Sequence, residues 1–305
     1  MRFNSLFSGL LVSLIVTASA TAQQVVFDHN SGLQGPETGQ RCDAGKLLQS
    51  DAIVTDNDIR GLNPERISVL NWNIYKGQRE NWAEDFKRYS HKHDVVLIQE
   101  AYLRDELKSI LQDGQQHWAM NAAFDYEDSV TGVMTASSVK PLSLCGQRAT
   151  EPLIRFPKTS LVSYYPIAGT EQNLLVANIH GINFTLGVDA YQGQLDSLYQ
   201  LMKQHTGPIV FAGDFNTWSD ERMQIVIAIA DSLSLESLDY TNHNRTIMFG
   251  NALDHVFYRG LEPLEHDTWH VTSSDHNPTH VSFRVKSGSV NDTGIAASDF
   301  DEDNC

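Results

Sequence analysis

Pro208-Ile209-Val210-Phe211-Ala212-Gly213-Asp214-Phe215-Asn216-Thr217-Trp218 is the stretch that decides how this chain is read. Ile209 to Ala212 is a short apolar run, and Gly207-Pro208 stops the helical pattern before it. Such a run is a strand buried on both faces. It leads straight into a carboxylate and an amide two residues apart. Residues i and i+2 of an extended chain share a face, so Asp214 and Asn216 are expected to converge. Gly213 lets a backbone or ligand approach closely. An Asp–Asn pair of this kind can orient a water and accept its proton. Asp and Asn are also ordinary turn formers, and this stretch alone leaves both readings open.

The same design recurs along the chain. Ile67–Asn73 and Val95–Gln99 read as strands leading to Asn73 and Glu100, and Leu174–Ile179 leads to His180. Ala252–Tyr258 carries Asp254 and His255 on opposite faces, and Ser274-Asp275-His276 precedes the last strand, Thr279–Val285. Packing alone does not ask buried strands to end in this polar set. Asp254 can orient His276 and stabilise its imidazolium. His276 can carry charge near neutral pH, and Glu100 is an isolated carboxylate for a hard cation such as Mg²⁺.

Helices are predicted over Asn81–Ser90, Asp105–Asp113, Tyr191–Gln204 and Asp220–Ser232. Further strands are predicted over Trp118–Ala123, Gly132–Ser137 and Ser160–Tyr165, with a loop over Pro141–Pro157. Each half is strand–helix–strand, so the expected class is α/β, with two similar sheets packed face to face in one domain over 66–286. Residues 23–65 read as an irregular, partly extended arm and 287–305 as an acidic, disordered tail. Arg2, the apolar run Leu6–Ala18 and the small-residue pattern Ala18-Ser19-Ala20 read as a signal peptide over 1–22. That run is shorter than the ~20 residues of a bilayer span, so no transmembrane anchor is expected. A secreted or periplasmic protein follows, with no obligate protein partner in evidence. Export makes Cys42, Cys145 and Cys305 candidates for a disulfide, and Cys42–Cys145 is the favoured pair because Cys305 ends a polar tail.

The ordered set Leu70-Asn71-Trp72-Asn73-Ile74, Ile98-Gln99-Glu100, Asn178-Ile179-His180, Gly213-Asp214-Phe215-Asn216, Leu253-Asp254-His255-Val256 and Ser274-Asp275-His276 resembles the endonuclease/exonuclease/phosphatase superfamily. The resemblance implies a four-layer α/β sandwich with two central mixed sheets, and attack of water on a phosphoester assisted by Mg²⁺, or by Mn²⁺. It implies Glu100 as the principal metal ligand, helped by Asn73 and Asp275. Asp214 and Asn216 would activate the water, Asp254 and His276 would form a dyad, and His180 would bind the phosphate or assist the leaving group. Asp214 and the Asp254–His276 pair both remain candidates for the base.

The substrate is less determined. Export favours a nuclease, whereas a formal net charge of −16 opposes long-range attraction of a polyanion. No hairpin with exposed aromatic residues is legible for insertion into a bilayer, so a lipid or small-molecule phosphoester ranks second. Lys158 beside Pro157 reads equally as a phosphate contact or a turn, and Tyr75 and Lys76 stand where they can line the mouth. Arg222 reads as a solvated charge at a helix start.

Overall fold

A computed structural model describes residues 61–240 and 243–286, together with the backbone of 25–27. The segment read as a signal peptide, most of the arm, the acidic tail, Cys42 and Cys305 lie outside the described residues.

The chain order is β1 (Val25–Phe27), β2 (Ile67–Asn73), α1 (Trp82–Ser90), β3 (Val95–Tyr102), α2 (Asp105–Asp113), β4 (His117–Tyr126), β5 (Ser129–Ser137), β6 (Ser143–Thr150), β7 (Pro157–Pro166) and β8 (Asn173–His180). It continues with α3 (Asp189–Met202), β9 (Ile209–Asp214), α4 (Asp220–Ser232), β10 (Glu236–Ser237), β11 (Ile247–Met248), β12 (Asn251–Ala252), β13 (Asp254–Arg259), β14 (Leu261–Thr268) and β15 (Thr279–Val285). Seven strands form one sheet in the order β1-β4-β5-β3-β2-β15-β14, and six form a second in the order β10-β13-β9-β8-β7-β6. Each sheet has one parallel pair at its centre, β2–β3 in the first and β8–β9 in the second. Antiparallel strands flank both pairs, β15 and β5 in the first sheet and β13 and β7 in the second.

The layers follow from alternation along the central strands. Ile67, Val69, Val95 and Leu97 of the first sheet meet Val176, Val210, Ala212 and Val256 of the second between the sheets. Leu70, Trp72, Val96 and Ile98 face the other way and bury Phe86 of α1 and Leu107, Ile110 and Leu111 of α2. Leu175, Ala177, Ile209 and Phe211 similarly cover Leu195 and Leu198 of α3 and Val226 of α4. Helices, sheet, sheet and helices make the four-layer α/β sandwich expected from the sequence.

The inner faces change character toward one end. Val69 is followed by Asn71 and Asn73, Leu97 by Gln99, Val176 by Asn178 and His180, and Ala212 by Asp214. Gln99 donates to Asn71 Oδ1 (2.9 Å) and Asn178 Oδ1 (2.7 Å), forming a buried polar layer between the sheets. The site is built above this layer, at the C-terminal ends of both parallel pairs.

Two expectations change. Pro141–Pro157 is not a plain loop: Ser143–Thr150 is an edge strand paired with β7. Its polar, half-exposed outer half hides the alternation that marks a strand. Leu261–Thr268 also forms a strand, although Glu262 and Glu265–Asp267 are exposed, because only its inner edge is paired. The arm is extended in part, with Val25–Phe27 paired to β4 and Leu62 buried against Pro166 and Ala168. Cys145 is buried and disulfide-bonded.

A histidine pair sets a pH limit on this scaffold. His93 donates from Nδ1 to the Tyr89 carbonyl (2.7 Å), leaving Nε2 to accept from His280 Nδ1 (2.6 Å). Burial lowers the His93 imidazole to about 4, with His280 and Lys92 adding and the Tyr89 carbonyl and Asp94 opposing. Its neutral form is therefore the stabilising one. That stability is complete above pH 6.5 and is lost as pH falls through 4, on the order of 3 kcal/mol in all. Thermal unfolding of wild type against His93→Phe between pH 7 and 4.5 tests this. The variant is expected to lose less stability over that interval, and parallel losses would contradict it.

Candidate active site

Asp214 is the hub. It closes β9 and lies opposite Asp254, the first residue of β13, in the antiparallel register. Its Oδ2 accepts from Asn73 Nδ2 (3.1 Å) at the end of β2. His180 Nε2, at the end of β8, stands 3.5 Å from the same oxygen, and His276 Nε2 stands 3.7 Å away. The backbone explains why these residues meet. Gly213 has a φ of 152°, and a Cβ there would sit 2.0 Å from the Ile179 carbonyl, so only glycine lets β8 and β9 run together at this point.

His276 precedes β15 on a loop fixed to β2. Trp72 Nε1 donates to the His276 carbonyl (2.9 Å), and Ser274 Oγ donates to the Asn73 carbonyl (2.7 Å). The His276 ring bonds through Nδ1 to Asp254 Oδ2 (2.8 Å). This is the pairing expected from the sequence, and it leaves Nε2 aimed at Asp214. His255 turns to the opposite face and meets Thr217 Oγ1 (2.8 Å), as the alternation requires.

Charge in the site is strongly organised. Burial pushes the Asp214 carboxyl up to about 6, with His276 opposing and Asp254 adding to the rise. Burial works to lower His276, but Asp254 and Asp214 outweigh it and raise the imidazole to about 10. His180 is held well below its ordinary value by burial and then by the positive charges of Lys158, His276 and Lys76. At neutral pH the site therefore holds an ionised Asp214, an imidazolium at 276 and a neutral imidazole at 180.

Asn216 departs from the extended geometry expected of it. Its φ is 52°, in the left-handed region. Its backbone N–H returns to Asp214 Oδ1 (3.0 Å), and its side chain donates to the Gly181 carbonyl (3.0 Å). The segment is thus a turn and a site element at once. Asn216 orients Asp214 and ties the loop after β8 to it.

Glu100 also has a left-handed φ, 51°, within the bulge that shifts β3 against β5. Its carboxylate takes the Lys76 ammonium on one oxygen and stands 3.9 Å from His180 Nε2 through the other. A cation is therefore already drawn to this half-buried acid. Asp275 is exposed, and its Oδ1 lies 3.4 Å from Ser274 Oγ, whose proton goes to the Asn73 carbonyl. The residues that converge within 4.8 Å are instead Asp214, Asp254 and His276, a group able to hold a metal ion. Asp254 Oδ1 is buried with no hydrogen-bond partner, so it fits an added cation or water. Both places supply the hard oxygen donors that a divalent ion requires.

Two residues carry more than the sequence assigned them. Lys158, left open between a contact and a turn, donates from Nζ to His180 Nε2 (2.7 Å) and adds positive charge to the site. Its signal was its place at the start of a strand running beside β8. Arg222 is not a solvated charge. It is buried, donates to the carbonyls of Asn216 (3.0 Å) and Asn183 (2.9 Å), and stacks on Tyr191 and Trp218. Its targets are backbone oxygens, which sequence does not mark.

A cleft of about 190 Å³ opens beside this set, with Lys76, Glu100, Lys158 and His180 among its walls. An ammonium on that wall suits an anionic oxygen, and a hydrogen bond to such a charged group is worth about 1.5–3 kcal/mol. Lys158→Gln is accordingly expected to lower kcat/KM by roughly 10- to 100-fold. Steady-state kinetics on a small phosphodiester check this, and an unchanged kcat/KM would remove Lys158 from the site.

Comparison with known proteins agrees with this construction. A sequence profile described as "Endonuclease/Exonuclease/phosphatase family" matches residues 70–276. A "UPF0294 protein" of Vibrio campbellii is 42% identical over 222 residues, covering 72% of this chain and 78% of the relative. A second, from Vibrio vulnificus, is 41% identical over 221 residues, with the same coverage of each. Among solved structures, the human Nocturnin catalytic domain with bound sulfate superimposes at a TM-score of 0.57 and 15% identity, covering 74% of this chain and 97% of that one. An endonuclease/exonuclease/phosphatase from Bacteroides vulgatus gives 0.55 at 14% identity, with 72% and 99% covered. These two show a shared fold. The profile, which spans more than half of the chain and runs through the strand-end residues, places the chain in the endonuclease/exonuclease/phosphatase family.

Proposed function

We propose that the chain is an exported phosphodiesterase dependent on a divalent cation, which splits its substrate with water activated at Asp214. Members of the family are hydrolases of phosphoester bonds. The observation that carries the reading here is the single buried oxygen, Asp214 Oδ2, approached by Asn73, His180 and His276. An ionised carboxylate with one polar wall can take a proton from water. The imidazolium of His276, held by Asp254, stabilises the charge that grows on the phosphoryl oxygens. Neutral His180 accepts from the Lys158 ammonium through Nε2 and so holds that ammonium in place, where its remaining N–H groups can donate to the same group or to the leaving oxygen.

Glu100, with Asn73 and Asp275, is our assignment for holding Mg²⁺ or Mn²⁺. Asp214, Asp254 and His276 are better employed with protons, because His276 already spends Nδ1 on Asp254. A bound divalent cation supplies Lewis acidity and charge neutralisation. Asn216 positions Asp214. Export rests on the N-terminal apolar run, and amino-terminal sequencing of protein recovered from the periplasm or medium tests it: a start near Thr21 or Gln23 is expected, and an intact Met1 would contradict it.

Metal removal tests the chemistry. Hydrolysis of bis(p-nitrophenyl) phosphate is expected to fall by about 10²-fold or more in EDTA and to return with Mg²⁺ or Mn²⁺. Undiminished turnover in EDTA would contradict the cation requirement. The sequence ranks nucleic acid above lipid as the substrate, but among the described residues the surface around the site bears on that order.

A further inference from the structure

Exposed apolar side chains are not spread evenly over this protein. Among the described residues, eight of the ten large exposed ones sit on three segments next to site residues, and only Ile227 and Leu264 lie elsewhere. The first segment joins β6 to β7, carries Leu153, Ile154 and Phe156, and leads into Lys158. The second follows His180 and carries Phe184 and Leu186. The third is the β11–β12 hairpin, with Ile247, Met248 and Phe249, and leads into Asp254. The sequence showed no hairpin with an exposed aromatic residue, and the structure corrects that: Phe249 forms its tip and is 83% exposed.

The three segments are pinned to one another. Trp218 sets its ring 6.2 Å from that of Phe249 and donates from Nε1 to Asn183 Oδ1 (3.0 Å). The N–H groups of Asn183 and Phe184 both donate to Glu151 Oε1, which anchors the second segment to the start of the first. The hairpin base is tied to the His276 loop, where Thr246 Oγ1 donates to the Asp275 carbonyl (3.3 Å). Phe249 holds this place at a φ of 50°. Hairpin tips of this type select Asn, Asp or Gly, so the phenylalanine is there against both backbone preference and solvation. Scattered exposed apolar residues are ordinary, whereas a linked set marks a contact surface.

We infer that these three segments form an interfacial rim that seats the mouth of the active site on a surface of zwitterionic phospholipid. The inference rests on the phosphodiesterase reading and names the substrate class: a headgroup phosphodiester taken at the boundary of membrane and water. Five of the eight side chains are aliphatic and offer no ring on which a nucleobase can stack. The net charge of −16 repels a polyanion but not a surface of zero net charge. The cleft is itself amphipathic, with Ile154, Phe156 and Phe184 on its walls beside Lys158 and His180. An apolar wall next to a cationic phosphate contact matches a lipid whose acyl chains adjoin its phosphodiester. No helix among the described residues is long and apolar enough to cross a membrane, so binding would be by these side chains at the interface.

The test uses the full mature chain, vesicles of phosphatidylcholine and phosphatidylethanolamine, duplex DNA, and soluble bis(p-nitrophenyl) phosphate. Wild type is expected to co-sediment with the vesicles and to hydrolyse their diesters faster than DNA. The double variant L186S/F249S, altered only at exposed tips, is expected to lose vesicle binding and vesicle turnover by roughly tenfold or more. It should keep wild-type turnover of bis(p-nitrophenyl) phosphate. Absent vesicle binding, vesicle turnover unchanged in the variant, or DNA as the faster substrate would each overturn the rim. A wild-type protein inert toward every phosphodiester would instead sink the phosphodiesterase reading, while co-sedimentation would still judge the rim by itself.

Discussion

Replacing Asp214 by asparagine is expected to lower kcat for phosphodiester hydrolysis by roughly 10²–10⁴-fold, the range spanned by a positioned general base. The change is nearly isosteric. Oδ1 can still accept from the Asn216 N–H, so the turn that shapes the site is kept. What disappears is the buried negative oxygen shared by Asn73, His180 and His276. KM should move little, because the proposed mechanism assigns substrate binding to His276 and to Lys158, held by His180, rather than to the base. Stopped and steady-state assays on wild type and Asp214→Asn, with melting curves to confirm folding, decide the matter. A kcat within a few-fold of wild type would remove Asp214 as the base.

The second large effect concerns the dyad. His276→Ala removes the imidazolium that faces Asp214 and is proposed to meet the phosphoryl group. Asp254→Asn leaves the ring in place but without its 2.8 Å carboxylate partner. Each is expected to cost about 10²–10⁴-fold in kcat, as expected for groups that act as a unit. Asp254→Asn combined with His276→Ala should then be no slower than His276→Ala alone. Multiplying losses in the double variant would show that Asp254 acts apart from His276, through a bound cation or the substrate.

Much of this site was legible because the fold repeats one simple device. A buried strand with apolar residues on both faces must end, and the polar residue at its end must be paid for by function or pairing. Asn73, Glu100, His180, Asp214 and Asp254 could therefore be found strand by strand. Their convergence required the superposition of two parallel pairs from different sheets, which only tertiary structure supplies. The helices Asp105–Asp113 and Asp220–Ser232 and the strands Ile67–Asn73 and Thr279–Val285 have the bounds expected from periodicity. Edge strands were harder. Ser143–Thr150 and Leu261–Thr268 face solvent along much of their length, so their pattern is diluted by polar residues.

Lys158, which the sequence left open, and Arg222, which it read as solvated, share another cause. Lys158 acts across the sheet on His180, and Arg222 acts on the backbone carbonyls of Asn183 and Asn216. The Arg222 carbonyls leave no mark in the sequence, and the place of Lys158 at the start of β7 points to β8 only once the two strands are known to pair. The hairpin at 247–252 is only six residues long and has a phenylalanine where a turn former is expected, so turn chemistry does not announce it. That hidden hairpin changes the ranking of substrates more than any residue in the catalytic group.

The most direct test of the hydrolytic reading is turnover of bis(p-nitrophenyl) phosphate in ¹⁸O-labelled water with Mg²⁺ present, for wild type and Asp214→Asn. The expected result is label in the phosphate product of the wild-type reaction and almost none formed by the variant in the same time. Label entering the p-nitrophenol, or equal phosphate labelling by the two proteins, would contradict water attack on phosphorus from Asp214.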